Sequence, residues 1–197
     1  MSPTARCREI LEVARQVFSS GEYSAVTVRE IAVRANVNSA LVYYYFGSKE
    51  RLVAAVIDNA TTQAFELYDR RVAGIGDPKR ALEEWFKVNA EFFGPLRQMA
   101  RILIHYQGST SRHSMIDAKV RTLYRRERHI LRKCIRSGVE LGIFKRRNPS
   151  IAAEFVSAHL DGICLVSIIR PWTDMPTFMR RQWTEIWGYL GCTTQTG

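Results

Sequence analysis

The chain has 197 residues, 46% hydrophobic and 24% charged, enough to bury a core and unlike the composition of fibrous or disordered chains. A formal net charge of +10 points to an acidic partner, nucleic acid first. Cys7, Cys134, Cys164 and Cys192 are scattered and the four histidines lack ligand spacing, which excludes a disulfide framework and a zinc centre; no metal and no cofactor are expected. The opening MSPTARCRE is charged and lacks an apolar stretch, so no secretory leader and a reducing, cytoplasmic location are expected.

Apolar residues recur with the helical period and no segment alternates as a strand, so the predicted fold class is all-α with nine helices. Ser2 and Pro3 form the cap and first turn of a helix to Ser20, with Gly21 behind it. Thr27-Val28-Arg29-Glu30 has the form of a capping box, starting a short helix that closes near Ala35. Asn36 to Asn38 make a tight turn in which Asn36 can be left-handed. A third helix over 38–46 ends at Gly47, and Ser48 caps a fourth that reaches Val72. The Gly74–Pro78 stretch interrupts the chain most clearly. Further helices are predicted over 79–93, over 96–107 after a Gly94-Pro95 break, over 115–141, from Pro149 to before Pro171, and over 176–190. The predicted organisation is a helix-turn-helix domain over 1–47, a linking helix over 48–72 and a second domain over 73–197.

Tyr43, Tyr44 and Tyr45 stand in a row before Phe46 and Gly47. Helical neighbours point about 100° apart, so one core cannot take all three rings. With Val42 inward, Phe46 and Tyr45 fall beside it, whereas Tyr43, Ala40 and Tyr44 line the opposite flank. Two short helices joined by a three-residue turn, the second outwardly polar and aromatic, make a helix-turn-helix whose second helix fits a DNA major groove. Tyrosine hydroxyls reach phosphates, and the rings suit thymine methyl groups. Thr27 and Lys49 sit at helix N-termini, where free N–H groups and the dipole favour a phosphate. Charge is unevenly placed, however. Residues 1–58 hold seven Lys and Arg against six Asp and Glu, but residues 112–147 hold twelve against three.

TVREIAVRANVNSALVYYYFGSKERLVAAVI, Thr27 to Ile57, resembles the DNA-binding signature of the TetR (tetracycline repressor) family of bacterial regulators. The resemblance implies an all-α homodimer that binds palindromic operator DNA and releases it when a small-molecule effector binds. It also makes residues 73–197 the ligand-binding and dimerisation domain. At matching positions it implies phosphate contacts from Thr27, Tyr43, Tyr44 and Lys49, and base or backbone contacts from Asn38, Ser39 and Ala40. Asn36 replaces the family's usual turn glycine. Leu41 replaces a small or polar residue, implying an apolar DNA contact and an unusual operator preference.

The helix from Pro149 is apolar on two sides, with one stripe of Ile151, Phe155, Ala158, Gly162, Leu165 and Ile169 and another of Ala152, Val156, Leu160 and Ile163. Glu154, His159 and Asp161 interrupt it, so a membrane span is not expected. Two apolar faces need two partners, either as a central core helix or between its own subunit and a twofold mate. The last helix carries Met179, Trp183, Ile186, Trp187 and Leu190 in one stripe. In TetR-like proteins the last two helices form the dimer interface, which here implies Phe155, Ala158, Gly162, Leu165, Met179, Trp183, Ile186 and Trp187.

Glu127 lies inside the apolar arc of the helix over 115–141, and a buried carboxylate is costly unless paired. Either Arg97, Arg101 or a tyrosine satisfies it, or it meets a cationic or hydrogen-bond-donating effector. Trp85, Asn89, Phe92, Met99, Tyr106, Tyr124 and His159 are the accompanying pocket candidates, though such stripes are more often ordinary core and such polar groups more often satisfied structural ones. The opposite, basic face of that helix reads most simply as solvated surface. Two other functions stay open: an enzyme with a vestigial helix-turn-helix, for which no nucleophile elbow, zinc motif or phosphate loop is present, and a non-specific architectural DNA binder, for which the head lacks basic density.

Overall fold

The computed structural model describes residues 3–109 and 113–192. Among them are nine helices and no strand: α1 (Pro3–Ser20), α2 (Val28–Arg34), α3 (Ser39–Phe46), α4 (Lys49–Val72), α5 (Pro78–Glu91), α6 (Phe93–Gln107), α7 (Ser114–Glu140), α8 (Pro149–Ile169) and α9 (Met175–Leu190). The expected cap Ser2 and part of the 108–114 loop lie outside the described residues.

Local chemistry sets most boundaries. The Thr27 hydroxyl accepts the Glu30 N–H at 3.1 Å and starts α2. Only this half of the capping box forms, because the Glu30 carboxylate turns to Arg34 at 2.9 Å. Asn38, Asp77 and Asn148 accept backbone N–H groups at the starts of α3, α5 and α8, the last two followed by proline in the first turn. The Gly94-Pro95 break is corrected. Helix α5 ends at Glu91 and α6 resumes at Phe93, so both residues sit in the first turn of α6. Proline is tolerated there because first-turn N–H groups have no intrahelical acceptor.

The chain forms two compact units, divided inside α4 and α7. The first comprises the described residues up to Gln63 with Gly94–Thr122; the second comprises Ala64–Phe93 with the described residues from Leu123 on. These limits differ from the predicted 1–47, 48–72 and 73–197, because most of α6 and the start of α7 pack with the N-terminal helices. Tyr106 sets its ring edge-on to Tyr23 with centroids 5.5 Å apart, and Lys119 pairs with Asp58 at 2.8 Å. In this unit α1 packs on α2 and α2 on α3, around buried Ile10, Phe18, Ile31 and Val42.

The second unit has its core among α4, α5, α7, α8 and α9, with Phe65, Phe86, Leu131, Val156 and Ile186 buried together. After α7 the chain folds back, with the Ile143 and Phe144 N–H groups bonding the Gly138 carbonyl. The Phe144 ring covers Gly138 so closely that an added Cβ would lie 2.1 Å from it, so glycine is required. Helix α8 is long and apolar enough to cross a bilayer, but it packs on α9 with Ala152, Val156, Leu160 and Ile163 buried. Its other stripe is open, with Ile151, Leu165 and Ile169 at 61%, 46% and 55% exposure.

The α9 stripe is a correction. Met179, Ile186 and Trp187 are buried in their own chain's core, and Phe86 stacks on Trp183 and meets Trp187 edge-on. Met179, Ile186 and Trp187 are thus covered by their own chain, whereas Trp183 is only half-buried.

Candidate nucleic-acid interface

Two short helices at a fixed angle need a turn that reverses within three residues. Asn36 supplies it with φ 50°, the left-handed conformation that asparagine tolerates better than most residues. The Val37 N–H then bonds the Ala32 carbonyl at 3.0 Å, seating α3 against α2. Val42 and Phe46 are buried beneath α3, and Tyr45 is half-buried with its ring against Phe46. Tyr43 and Tyr44 face outward at 51% and 81% exposure. Ala40 is exposed beside them, and Ser39 and Leu41 are half-buried. At the end of α3, Gly47 takes φ 76°, and the Ser48 hydroxyl accepts the Arg51 N–H to open α4.

Thr27 and Asn38 are both exposed caps. Each uses an acceptor oxygen on its own helix. That leaves the Thr27 O–H and the Asn38 amide N–H groups as outward donors, the groups that phosphate oxygens and base edges accept from. Lys49 is placed differently from expectation. Its ammonium turns back to donate to the Tyr23 and Ser24 carbonyls and lies 4.6 Å from the centre of the Tyr23 ring. Burial pushes its pKa below the usual lysine value. The side chain therefore clamps the α1–α2 connection, and what α4 offers an anion is its N-terminal backbone. Tyr23 carried no signal in the sequence for this role.

The pocket candidates divide between the two compact units. In the first, Met99 is buried, and Tyr106 is fully buried with its hydroxyl accepting the His113 N–H at 2.6 Å and lying 3.2 Å from Asp117. Tyr106 is thus a packing and tethering group. In the second, Trp85 is buried between Phe65 and Tyr68, its indole N–H without a hydrogen-bond partner among the described residues. Phe92 caps α5. Asn89 donates to the Trp85 carbonyl at 2.8 Å, and the His159 ring nitrogen sits 2.9 Å from the Phe155 carbonyl. Those two polar groups are satisfied on their own helices.

Glu127 has a different environment. It is 8% exposed, and the Ser157 hydroxyl donates to it at 2.7 Å. Burial pushes its carboxyl up to about 7; the Ser157 bond opposes this and Asp161 adds to it. Asp161, at the exposed edge, accepts the Tyr124 hydroxyl at 2.9 Å and is itself raised, chiefly by burial. Burial likewise raises the Tyr124 hydroxyl. Two carboxyl groups, a tyrosine and a serine thus couple electrostatically across α7 and α8. The expected arginines, Arg97 and Arg101, belong to the first unit. Ser157 was not foreseeable, since 30 residues separate it from Glu127.

Residues 10–56 match the model of the family described as bacterial regulatory proteins, tetR family. The HTH-type transcriptional repressor NicS of Pseudomonas putida is 26% identical over 136 residues, covering 69% of this chain. The alignment spans 64% of that protein's length. The HTH-type transcriptional repressor KstR2 of Mycolicibacterium smegmatis is 27% identical over 168 residues, 84% of this chain and 79% of that one. Among solved structures, a putative transcriptional regulator from Saccharomonospora viridis in complex with choline shares the fold. Its TM-score is 0.80 at 21% identity, over 95% of this chain and 97% of that one.

Proposed function

The chain belongs to the TetR family of bacterial transcriptional regulators, and from that premise we propose that it is a cytoplasmic repressor that binds palindromic operator DNA as a homodimer and leaves it when a small molecule binds. It regulates transcription and is not an enzyme. The observation that carries the reading is the outward pair Tyr43 and Tyr44 on α3. Exposing two large rings next to the donors of Asn38 and Thr27 costs apolar burial and makes sense against a DNA groove. In this reading residues 1–47 are the reading head. Tyr43, Tyr44 and Thr27 meet phosphates, Asn38, Ser39 and Ala40 meet bases or backbone, and Leu41 adds apolar contact at its open edge. Purified protein should shift a palindrome from its own promoter region, and Tyr44→Ala should need about ten- to thirty-fold more protein for the same shift; an undiminished shift removes the recognition-helix assignment.

The dimer face in this reading narrows to α8. Ile151, Ala158, Leu165 and Ile169 form an exposed apolar stripe, with Gly162 half-buried within it and Phe155 half-buried against the Tyr189 ring. A stripe of this kind in water calls for a partner, and a twofold mate also suits two recognition helices about 34 Å apart on successive major grooves. Leu165→Glu with Ile169→Glu should give monomers by light scattering; an intact dimer would move the interface elsewhere.

For the effector, Glu127 with Asp161 favours a cationic or hydrogen-bond-donating ligand, because a positive group there would replace the desolvation penalty with an ion pair. Choline, bound to the Saccharomonospora regulator, is a cation of that kind. Such a ligand acts only through differential affinity for the non-binding state. Organic amines, choline included, should weaken operator binding by the wild type and not by Glu127→Gln; an equal response from both removes Glu127 from the site.

A further inference from the structure

Helix α7 divides its cations into two sets. Lys119 and Arg126, on the flank, are neutralised by Asp58 and Asp69 at 2.8 and 2.6 Å. Arg121, Arg125, Arg128, Arg132, Lys133 and Arg136 are all exposed, and none has a carboxylate partner among the described residues. The five arginines recur every three or four residues and so fall within an arc of about 80°. Like charges at that spacing destabilise a helix, and among the described residues the only carboxylates one turn away along the row are Asp117 and Glu140 at its ends, neither in an ion pair with it. Arg125 to Arg136, with His129, line an open groove of about 410 Å³.

We propose that this outward stripe of α7 is a second, sequence-independent docking surface for the phosphate backbone of duplex DNA. The inference rests on the reading of the chain as a DNA-binding regulator. A second copy of the chain meeting this face stripe to stripe is a poor occupant, because that contact would set arginine against arginine. Arginine predominates over lysine in the row, and its planar fork suits phosphate bidentately. From Arg121 to Arg136 the helix rises about 22 Å, long enough for several of these cations to meet separate phosphates. The near-neutral head over residues 1–58 supplies little general attraction to DNA. The stripe provides it, holding the protein on non-operator DNA while α3 discriminates sequence.

The test is fluorescence anisotropy of the full chain with a scrambled duplex of about 30 base pairs, titrated between about 50 and 200 mM salt. Replacing Arg125, Arg128, Arg132 and Arg136 by Gln removes four phosphate contacts, so the salt slope should flatten by about three to four. Wild-type affinity should then fall about 100-fold more than the variant's over that range. Replacing the same four by Lys should keep the slope while weakening affinity, with thermal melts by circular dichroism checking the fold of each variant. An unchanged slope in the Gln variant, or a slope lost in the Lys variant, overturns the proposal. Stripe-dependent binding to phosphatidylglycerol vesicles without binding to the duplex also overturns it, in favour of a membrane partner. Preference for the promoter palindrome over the scrambled duplex should persist in the Gln variant, because α3 carries it, so failure of the stripe and failure of the reading head give different results.

Discussion

Helices α3 and α9 both carry aromatic stripes that invite a partner, and they dispose of them in opposite ways. On α3, Tyr43 and Tyr44 stand in solvent. On α9, Met179, Ile186 and Trp187 close the core of their own chain, with Trp187 against Phe86 and Phe144. The difference lies in spacing. Three consecutive tyrosines sweep too wide an arc for one contact face, so exposure is forced. The α9 stripe occupies a single arc, and a single arc serves an internal neighbour as well as an external one. Aromatic content alone therefore does not mark an interface; a pattern that one core cannot satisfy does.

This contrast is breakable by measurement. Trp187→Ala should cost about 3–5 kcal/mol of stability by denaturant unfolding, the price of truncating a large buried side chain. A loss under about 1 kcal/mol would return α9 to the surface. The inward side also holds Glu127, whose raised carboxyl makes stability depend on pH. Between about 4.5 and 7 the unfolded chain releases a proton that the folded chain retains, so stability falls as pH rises through that window. Glu127→Gln should match the wild type near pH 4.5 and become more stable by up to about 3 kcal/mol at pH 8. A constant difference across that range would mean the carboxyl titrates normally.

Smaller effects belong to the outward side. Tyr44→Ala should weaken operator affinity by about ten- to thirty-fold, one contact's worth, while unfolding free energy moves by less than about 0.5 kcal/mol. A large stability loss there would mean the ring packs inward after all. Lys49→Met should cost about 1 kcal/mol of stability through its lost carbonyl bonds. If it instead lowers DNA affinity as much as Tyr44→Ala, its ammonium leaves the Tyr23 carbonyl to meet phosphate.

Helix bounds were largely legible because their causes are local. Thr27 and Ser48 cap the helices they were expected to cap, and Asn36 takes the left-handed turn. Gly94-Pro95 misled because the same pair suits a break or a first turn, and only the chain on either side decides. At the candidate sites, exposure of the α3 flank could be read from periodicity. The fate of the Lys49 ammonium, the serine on Glu127 and the tyrosine on Asp161 depended on residues tens of positions away.

By itself, then, the order of residues determined an all-helical chain, the turn between α2 and α3, the outward flank of α3 and two opposed apolar stripes on α8, since all of these follow from φ/ψ limits, capping hydrogen bonds and the 3.6-residue repeat. Tertiary structure alone decided which α8 stripe is buried, that α9 spends its tryptophan inside, and which distant group meets each buried polar atom. Such choices turn on contacts between segments far apart in the chain, and helical period is silent about which neighbour fills a face.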